Sequence, residues 1–522
     1  MKASHLALNT PETCFDGLWC RIPKEIRLTF LACVVLGLMV HIYMFVNKLP
    51  NHDDIGHLFS AEYGTASGRW FLPTVLRLDG AFSTPWLIGM LSLLCLAGTA
   101  CFTVSLLRIR HPLSCIVTAA VMVSFPTVTS TFAYMFTADA YFFSLMLAAF
   151  GAYAAVRFRW GILPGAVAIT LSMGIYQSYL GVAAVLMVGA LLFETLDGKR
   201  SFQELFLKGV QLAGTLAAAL IAYMVIVRIT SLRVPLVDYM GISDMGKISL
   251  PELPRLILKS YGKYFTFFLR NDSGYHFGFL KYAFIATALC TVLLGVLLLR
   301  QRKLGPARTA LAVALAAAYP LAGNIIYVMV PSDIHTLMIY GLSYILIAPI
   351  ALADYMETAP QKISVRSFQA AAGWIILLSM ALTSFSYAIT ANTAYLKIDL
   401  SMRQCTAYST RLLDKIESCE GYRQGMPVAL LGSDQREDAL VPTPELDRIQ
   451  MTGVFDLGSY RASYTYGHFL RYYLGFTGEV YLGDSENALA MAETAQAKAM
   501  PLYPEAGSIQ VIDGTVVVKL ND

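Results

Sequence analysis

The stretch Ile26–Val46, IRLTFLACVVLGLMVHIYMFV, runs through Asn47-Lys48-Leu49-Pro50 into Asn51-His52-Asp53-Asp54-Ile55-Gly56-His57. Its first part has about the 20 residues that an α-helix needs to cross the hydrocarbon of a bilayer. Its second part puts two adjacent carboxylates just beyond that span. Acids at the end of a membrane helix are costly unless they face water, protein or a ligand. The stretch therefore predicts helices embedded in lipid, with a polar site at one membrane boundary. Lys2, Arg21, Lys24 and Arg27 lie at or before the start of the apolar run, and no small-residue cleavage site follows it. This predicts a retained first helix and not a signal peptide.

Composition extends this reading to most of the chain. Hydrophobic residues make up 56% and charged residues 14% of the 522, with a mean hydropathy of +0.57. A soluble globular chain carries about a quarter charged residues. The net charge of +4 is small and calls for no nucleic-acid partner. Most of the nine cysteines, among them Cys33, Cys95, Cys101, Cys115 and Cys290, sit in apolar runs, where a thiol behaves as a small hydrophobe. No CxxC or Cys/His spacing suggests zinc. There is no Walker A motif, no GxGxxG after a strand and no kinase signature. If the chain is an enzyme, its donor is not expected to be a cytosolic nucleotide conjugate.

Apolar windows predict about eleven spans: Ile26–Val46, Pro85–Leu107, Leu113–Thr131, Phe136–Val156, Gly161–Ile175, Tyr179–Leu196, Gly209–Ile229, Tyr282–Leu299, Ala307–Val330, Leu337–Tyr355 and Phe368–Ala391. Basic residues recur on every second connection: Arg21/Lys24/Arg27, Arg108/Arg110, Arg157/Arg159, Lys199/Arg200/Lys208, Arg300/Arg302/Lys303/Arg308 and Lys362/Arg366. The positive-inside rule puts all six on the cytoplasmic side. The Asp53 loop, the Phe132–Thr137 turn, Tyr176–Ser178, the Ser231–Lys281 segment, Pro331–His335 and everything after Ala391 fall on the other side. Within the long segment, Lys247, Arg255, Lys259, Lys263 and Arg270 alternate with Leu256, Ile257, Phe265 and Phe268. That pattern predicts an amphipathic helix in the headgroup region over Pro251–Phe268.

The chain divides into a cytoplasmic segment 1–25, a transmembrane unit 26–395 and an extracytoplasmic α/β domain 396–522 of about 120 residues. After about Tyr395 charge, Gly and Pro rise. Ser401–Ser418 reads as a helix, and Met426–Leu431 and Ile509–Leu520, with its Asp513-Gly514 turn, read as strands. Cys405 and Cys419 would meet an oxidising compartment. On one unbroken helix they would stand about 21 Å apart, beyond disulfide reach, so no bridge is expected between them.

The outward loops collect Asp53, Asp54, His57, Glu62, Arg69, Arg77, Asp79, Asp139, Tyr176, Gln177, Tyr179, Asp333 and His335. A carboxylate within reach of an alcohol can take its proton as a new bond forms, so Asp53 and Asp54 are the candidate catalytic pair. The alternative is a capping pair in a solvated loop. Asn51 or Asp53 fits a helix N-cap, and the helix N-terminus would favour the ionised acid. Arg69 and Arg77 would hold a phosphate through the planar guanidinium fork; the alternative is snorkelling to the headgroups. Tyr176 and Gln177 could hydrogen-bond a sugar or phosphate, or simply form an aromatic interface turn. Asp139 caps a helix start or faces the site, and His335 is either structural or a cavity group. His52, Asp53, Asp54 and His57 include the residue types that bind divalent metals, but their spacing matches no metal motif, so no metal or other cofactor is assigned.

At Asp53-Asp54, Ser67-Gly68-Arg69-Trp70 and Tyr176-Gln177-Ser178-Tyr179 the chain resembles the GtrII-like glucosyltransferases of bacterial envelopes. The resemblance covers about Ile26 to Tyr395. It implies a mostly α, polytopic fold of GT-C type in the bacterial inner membrane, with the N-terminus cytoplasmic and the C-terminal domain outside. It implies a polyprenyl-phosphate-linked hexose, usually glucose, as donor and an O-antigen or other surface glycan, or its lipid-linked precursor, as acceptor. By similarity one acid of Asp53-Asp54, Asp53 first, is the base of an inverting displacement, and Arg69 holds the donor phosphate. Two other classes compete. A flippase for lipid-linked saccharides would often show two related halves, and none repeats here. An envelope assembly factor would use the outer domain for binding and perform no chemistry.

Overall fold

The computed structural model describes residues 10–60, 64–237, 250–330, 334–357, 363–432, 444–455, 457–461 and 463–521. Glu62, Asp333, Lys247 and Lys362, all drawn into the sequence reading, lie outside them.

Seven described helices are long and apolar enough to cross a membrane: Lys24–Val46, Pro85–Leu107, Met135–Arg157, Gln177–Asp197, Phe202–Thr230, Leu280–Arg302 and Arg366–Glu417. The other four expected spans take different forms. Pro112–Ser124 and Pro126–Phe132 form one broken helix bent by 47°. Ile162–Ile175 has 14 residues, short of the ~20 that a perpendicular span needs. Pro306–Gly323 carries Pro320 in its last turns and stops at Asn324 before a single turn, Ile326–Met329. The Leu337–Tyr355 window begins in 3₁₀ turns and becomes an α-helix only at Tyr344–Glu357. Against the eleven expected spans, seven helices among the described residues, or eight if the bent pair crosses as one, are long and apolar enough to cross.

The basic connections meet at one end of the bundle. Arg108 pairs with Asp197, which also accepts from the Tyr355 hydroxyl at 2.6 Å. Asp354 accepts from the backbone N–H groups of Arg110 and His111 at 2.8 and 2.9 Å. Arg308 donates to the Gly198 carbonyl, Arg157 to that of Ser105, and Lys208 to Glu194. The Asp53 loop, the start of Met135–Arg157 and the Tyr176 turn form the opposite end, as the alternation of basic loops requires. The expected amphipathic stretch forms a helix over Leu253–Tyr264, continued by a wider π-turn segment, Phe265–Arg270.

The last apolar span does not stop at Ala391. It continues as one helix, Ile363–Glu417, of 55 residues, or roughly 80 Å at 1.5 Å per residue. Bilayer hydrocarbon takes up only about 30 Å of that length. The expected helix over Ser401–Ser418 is thus the far half of a membrane helix. It runs unbroken from Cys405 to Glu417, two residues before Cys419, and both cysteines are free thiols. Met402, Tyr408, Leu412 and Ile416 on this half pack into a second core with Val428, Leu430, Val516 and Val518. Those four come from β1 (Val428–Leu431) and β4 (Thr515–Lys519) of a sheet completed by β2 (Val480–Tyr481) and β3 (Ile509–Ile512), in the order β2-β1-β4-β3. β1 runs parallel to both β2 and β4. β3 and β4 form the antiparallel hairpin predicted around Asp513-Gly514, both residues in the left-handed region with φ 47° and 77°, as a two-residue hairpin turn requires.

Candidate active site

The two acids of the pair face different ways. Asn51 caps the short helix His52–Gly56, accepting from the Asp54 N–H at 2.9 Å. This turn sends the Asp54 side chain inward, where it is fully buried. Its Oδ1 accepts from the Phe136 N–H at 2.8 Å and the Ser83 hydroxyl at 3.2 Å, and its Oδ2 from the Met135 N–H at 3.2 Å. Met135 and Phe136 open the Met135–Arg157 helix, whose own N-cap residue, Tyr134, offers no side-chain cap. Asp54 thus satisfies first-turn donors that would otherwise be orphaned. Lys48 donates to Ser83 at 2.5 and 2.8 Å beside it. Burial pushes the Asp54 carboxyl above its ordinary value, opposed chiefly by the nearby Lys48 charge, and burial likewise pulls the Lys48 ammonium down. The surrounding groups are all donors, a set that fits the carboxylate form.

Asp53 points the other way. Its side chain is 16% exposed, accepts from the Tyr464 hydroxyl at 2.5 Å and lies 3.3 Å from His52 Nε2. It lines a cavity of ≈ 120 Å³ together with Arg69, Tyr141, Tyr176, Gln177 and His335, among others. Residues from five separated parts of the sequence therefore converge, and four of them, with Asp53, were expected.

Arg69 is buried and held from several sides. Gly68 adopts φ 75°, closing a tight turn over Thr65–Ser67 that aims Arg69 inward. The Arg69 Nη1 donates to the Tyr141 hydroxyl at 2.9 Å. Its guanidinium lies 5.4 Å from the Tyr176 ring centre and 5.9 Å from that of Tyr141, and these rings stack 4.4 Å apart. Such contacts favour a cation and hold its plane. Gln177 Nε2 donates to the Ser67 carbonyl at 3.1 Å and to the Tyr223 hydroxyl at 2.8 Å, fixing the turn against its neighbours. The Phe71 N–H donates to the Gly174 carbonyl at 2.8 Å. A Cβ on Gly174 would come within 2.6 Å of Trp70, so only glycine lets this helix end sit against the loop.

Three expected site residues stay outside the cavity wall. Asp54 is spent on the helix start. Arg77 lies past the end of the short helix Leu72–Leu76 and is exposed. Asp139 sits inside the Met135–Arg157 helix, buried, with its Oδ1 on the Ala140 N–H at 2.8 Å and Asp79 as its charged neighbour. Among the described residues no three His, Cys, Asp or Glu side chains are placed to share a metal ion.

Sequence reading missed Tyr134, Phe136, Thr137, Tyr141 and Thr452 on the wall, and Tyr464 on Asp53. The Phe132–Thr137 turn was legible as an outward loop, and Tyr141 follows one helical turn later. Thr452 and Tyr464 carry no signal, because they arrive from the far end of the chain. The Ser130 hydroxyl donates to the Thr452 carbonyl at 2.6 Å, Tyr460 to Pro50 at 2.6 Å and Thr465 to His52 at 2.7 Å. Thr452, Tyr460 and Thr465 are thereby held against the elements that build the site.

A cavity that joins a carboxylate to an aromatic-bound guanidinium at a membrane boundary suits transfer from an anionic leaving group. No curated protein and no solved structure matches the chain. The family model described as Glucosyl transferase GtrII matches residues 42–346, more than half of the sequence and inclusive of Asp53, Arg69, Tyr176, Gln177 and His335. The chain belongs to the GtrII glucosyl transferase family.

Proposed function

We propose that the protein transfers a hexose, glucose by family, from a polyprenyl-phosphate carrier to an O-antigen or related surface glycan. The transfer takes place on the outer side of the bacterial cytoplasmic membrane. The observation that carries this reading is that Asp53 and Arg69 line one cavity, at the end of the bundle opposite the basic loops. The positive-inside rule makes that end extracytoplasmic, with the N-terminus inside. In this reading residues 26–395 are a GT-C-type catalytic unit and 396–522 an outer unit.

Asp53 takes the proton of the acceptor hydroxyl as its oxygen bonds to the anomeric carbon. The bond from that carbon to the phosphate oxygen breaks on the opposite face, so configuration inverts. The charge left on polyprenyl phosphate meets the Arg69 guanidinium, whose fork matches phosphate oxygens. Gln177, Tyr176 and His335 supply polar groups around the sugar, and the prenyl tail stays in hydrocarbon. A donor of this kind accounts for the lack of any nucleotide-binding motif in the sequence.

The test is transfer from polyprenyl-phosphate-glucose to a lipid-linked glycan by protein in lipid nanodiscs. Wild type is expected to lengthen the acceptor by one hexose and Asp53→Asn to fail while remaining folded. Transbilayer movement of the donor without transfer, equal in wild type and variant, would replace this reading with the flippase.

A further inference from the structure

A second cavity, of ≈ 630 Å³, lies on the other side of the Asp53 wall. Its floor is the carboxyl ends of three mutually parallel strands. Gly432 follows β1, Leu482 and Gly483 follow β2, and Leu520 and Asn521 follow β4, and all line it. In open α/β sheets the carboxyl ends of parallel strands are where ligands bind, because the loops there diverge. At this floor a Cβ on Gly483 would come within 2.9 Å of the Gly432 backbone, so two bare glycines bring the main chain to the surface.

The walls combine flat aromatic faces with hydrogen-bonding groups. Phe455, Tyr464 and His52 form one side, with the His52 ring 4.7 Å from Phe455 and 6.0 Å from Tyr464, both edge-on. Tyr464 is 63% exposed, so its ring face is open to a ligand entering this side of the cavity. Arg461, itself buried, is held 4.5 Å over the Tyr408 ring and also lines the cavity, as does Asp484 on the far rim. Rings that present an apolar face beside charged donors and acceptors suit a ligand with alternating C–H faces and hydroxyls.

The two cavities share one partition. Tyr464 lines the second, and its hydroxyl donates to Asp53, which lines the first; His52 lines the second and stands 3.3 Å from the same carboxylate. We propose that this second cavity is the acceptor subsite. It holds a saccharide chain of the glycan acceptor, and the Tyr464 hydroxyl keeps the place on Asp53 Oδ1 that the acceptor hydroxyl takes. The assignment rests on the transferase reading given above and adds to it the side from which the acceptor approaches. The base is reached from the outer unit and the donor from the membrane unit, so neither substrate has to pass the other.

The experiment uses full-length protein in nanodiscs and oligosaccharides released from the surface polysaccharide of the cell that makes it. Binding is followed by saturation-transfer NMR, and transfer is assayed in parallel with polyprenyl-phosphate-glucose. Asp484→Ala alters an exposed turn and Phe455→Ala removes a wall; both are expected to weaken oligosaccharide binding at least tenfold. They should raise the acceptor KM by a similar factor and leave the donor KM unchanged. Binding and acceptor KM equal to wild type in both cavity variants would overturn the subsite. Binding that depends on the cavity, with no hexose transfer by wild type, would uphold the subsite and sink the transferase reading instead. Absence of both binding and transfer in wild type would remove both.

Discussion

The Phe136 N–H donates to Asp54 Oδ1 at 2.8 Å across 82 positions of sequence, so the first turn of one membrane helix is capped by a residue that follows another. This contact divides the labour of the acid pair. Asp54 ties the Asn51–His57 loop to the Met135–Arg157 helix, and the turn so fixed aims Asp53 at the cavity. An isolated loop acid would sample many rotamers, whereas this one starts from a backbone pinned at both ends.

Asp53→Asn removes the proposed proton acceptor without changing side-chain volume. Transfer should fall by about 10²–10⁴-fold, the range for loss of a general base, with expression and thermal stability unchanged. Hexose incorporation into the acceptor, measured beside a melting curve, checks this. Residual activity above a tenth of wild type would mean that another group takes the proton.

Asp54→Asn has the opposite signature. The amide can accept from one of the two helix N–H groups, but its own NH₂ then confronts the other. Leaving a buried donor unsatisfied costs about 1–3 kcal/mol, so the apparent Tm in detergent should drop. Activity per folded molecule should fall much less than for Asp53→Asn. A variant as stable as wild type would contradict the capping role.

Arg69→Lys keeps the charge and loses the fork and the flat contact with Tyr176 and Tyr141. A hydrogen bond to a charged group is worth about 1.5–3 kcal/mol, so the donor KM should rise by about tenfold or more, with the acceptor KM little changed. Steady-state titration of each substrate separates the two effects.

His57 sets an acid limit on stability. Its ring stacks on Phe136 at 4.9 Å, and burial, aided by His468 and opposed by Asp53, holds its pKa below the ordinary 6.5. The unfolded chain therefore takes up this proton first as pH falls, so stability is full above 6.5 and declines below it. The Tm measured from about pH 7 to about pH 5 should fall more steeply for wild type than for His57→Gln. Parallel slopes would exclude His57 as the source.

Gly174→Val should abolish transfer without touching any polar group of the cavity. The added carbons collide with Trp70 and Phe71, and the loop that carries Arg69 must shift. Overpacking of this kind costs typically about 1–3 kcal/mol. Loss of donor binding in a folded variant confirms the link; a normal donor KM would break it.

Much of the bundle was legible because lipid demands long apolar helices, and seven of the windows became such helices. The others failed where composition and backbone part company. The Ala307–Val330 window is mostly apolar, yet its helix breaks at Asn324, and the Leu337–Tyr355 window starts in 3₁₀ turns. At the site, the order of loops along the chain brought Asp53, Arg69, Tyr176, Gln177 and His335 to one end, and the fold joined them. Which acid of the pair faces the cavity was not legible, since rotation within one helical turn decides it. Arg77 was read with Arg69 because either guanidinium could hold a phosphate; the Leu72–Leu76 helix between them leaves Arg77 exposed. Tyr464 sits 411 positions from its partner Asp53, a distance over which no local pattern operates.

The unbroken Ile363–Glu417 helix makes the C-terminal sheet unit and the helical bundle one mechanical train. Each residue of an α-helix advances about 1.5 Å and turns about 100°. One residue inserted near Leu400 would swing the strands around the shaft and pull Tyr464 off Asp53, while every apolar contact in the membrane survived. Seven would restore the rotation nearly, but would lift the sheet by about 10 Å. The height of the sheet above the bundle is in this sense written as an integer, the number of residues between bilayer and sheet, and hexose transfer by one- and seven-residue insertions reads whether that integer can change.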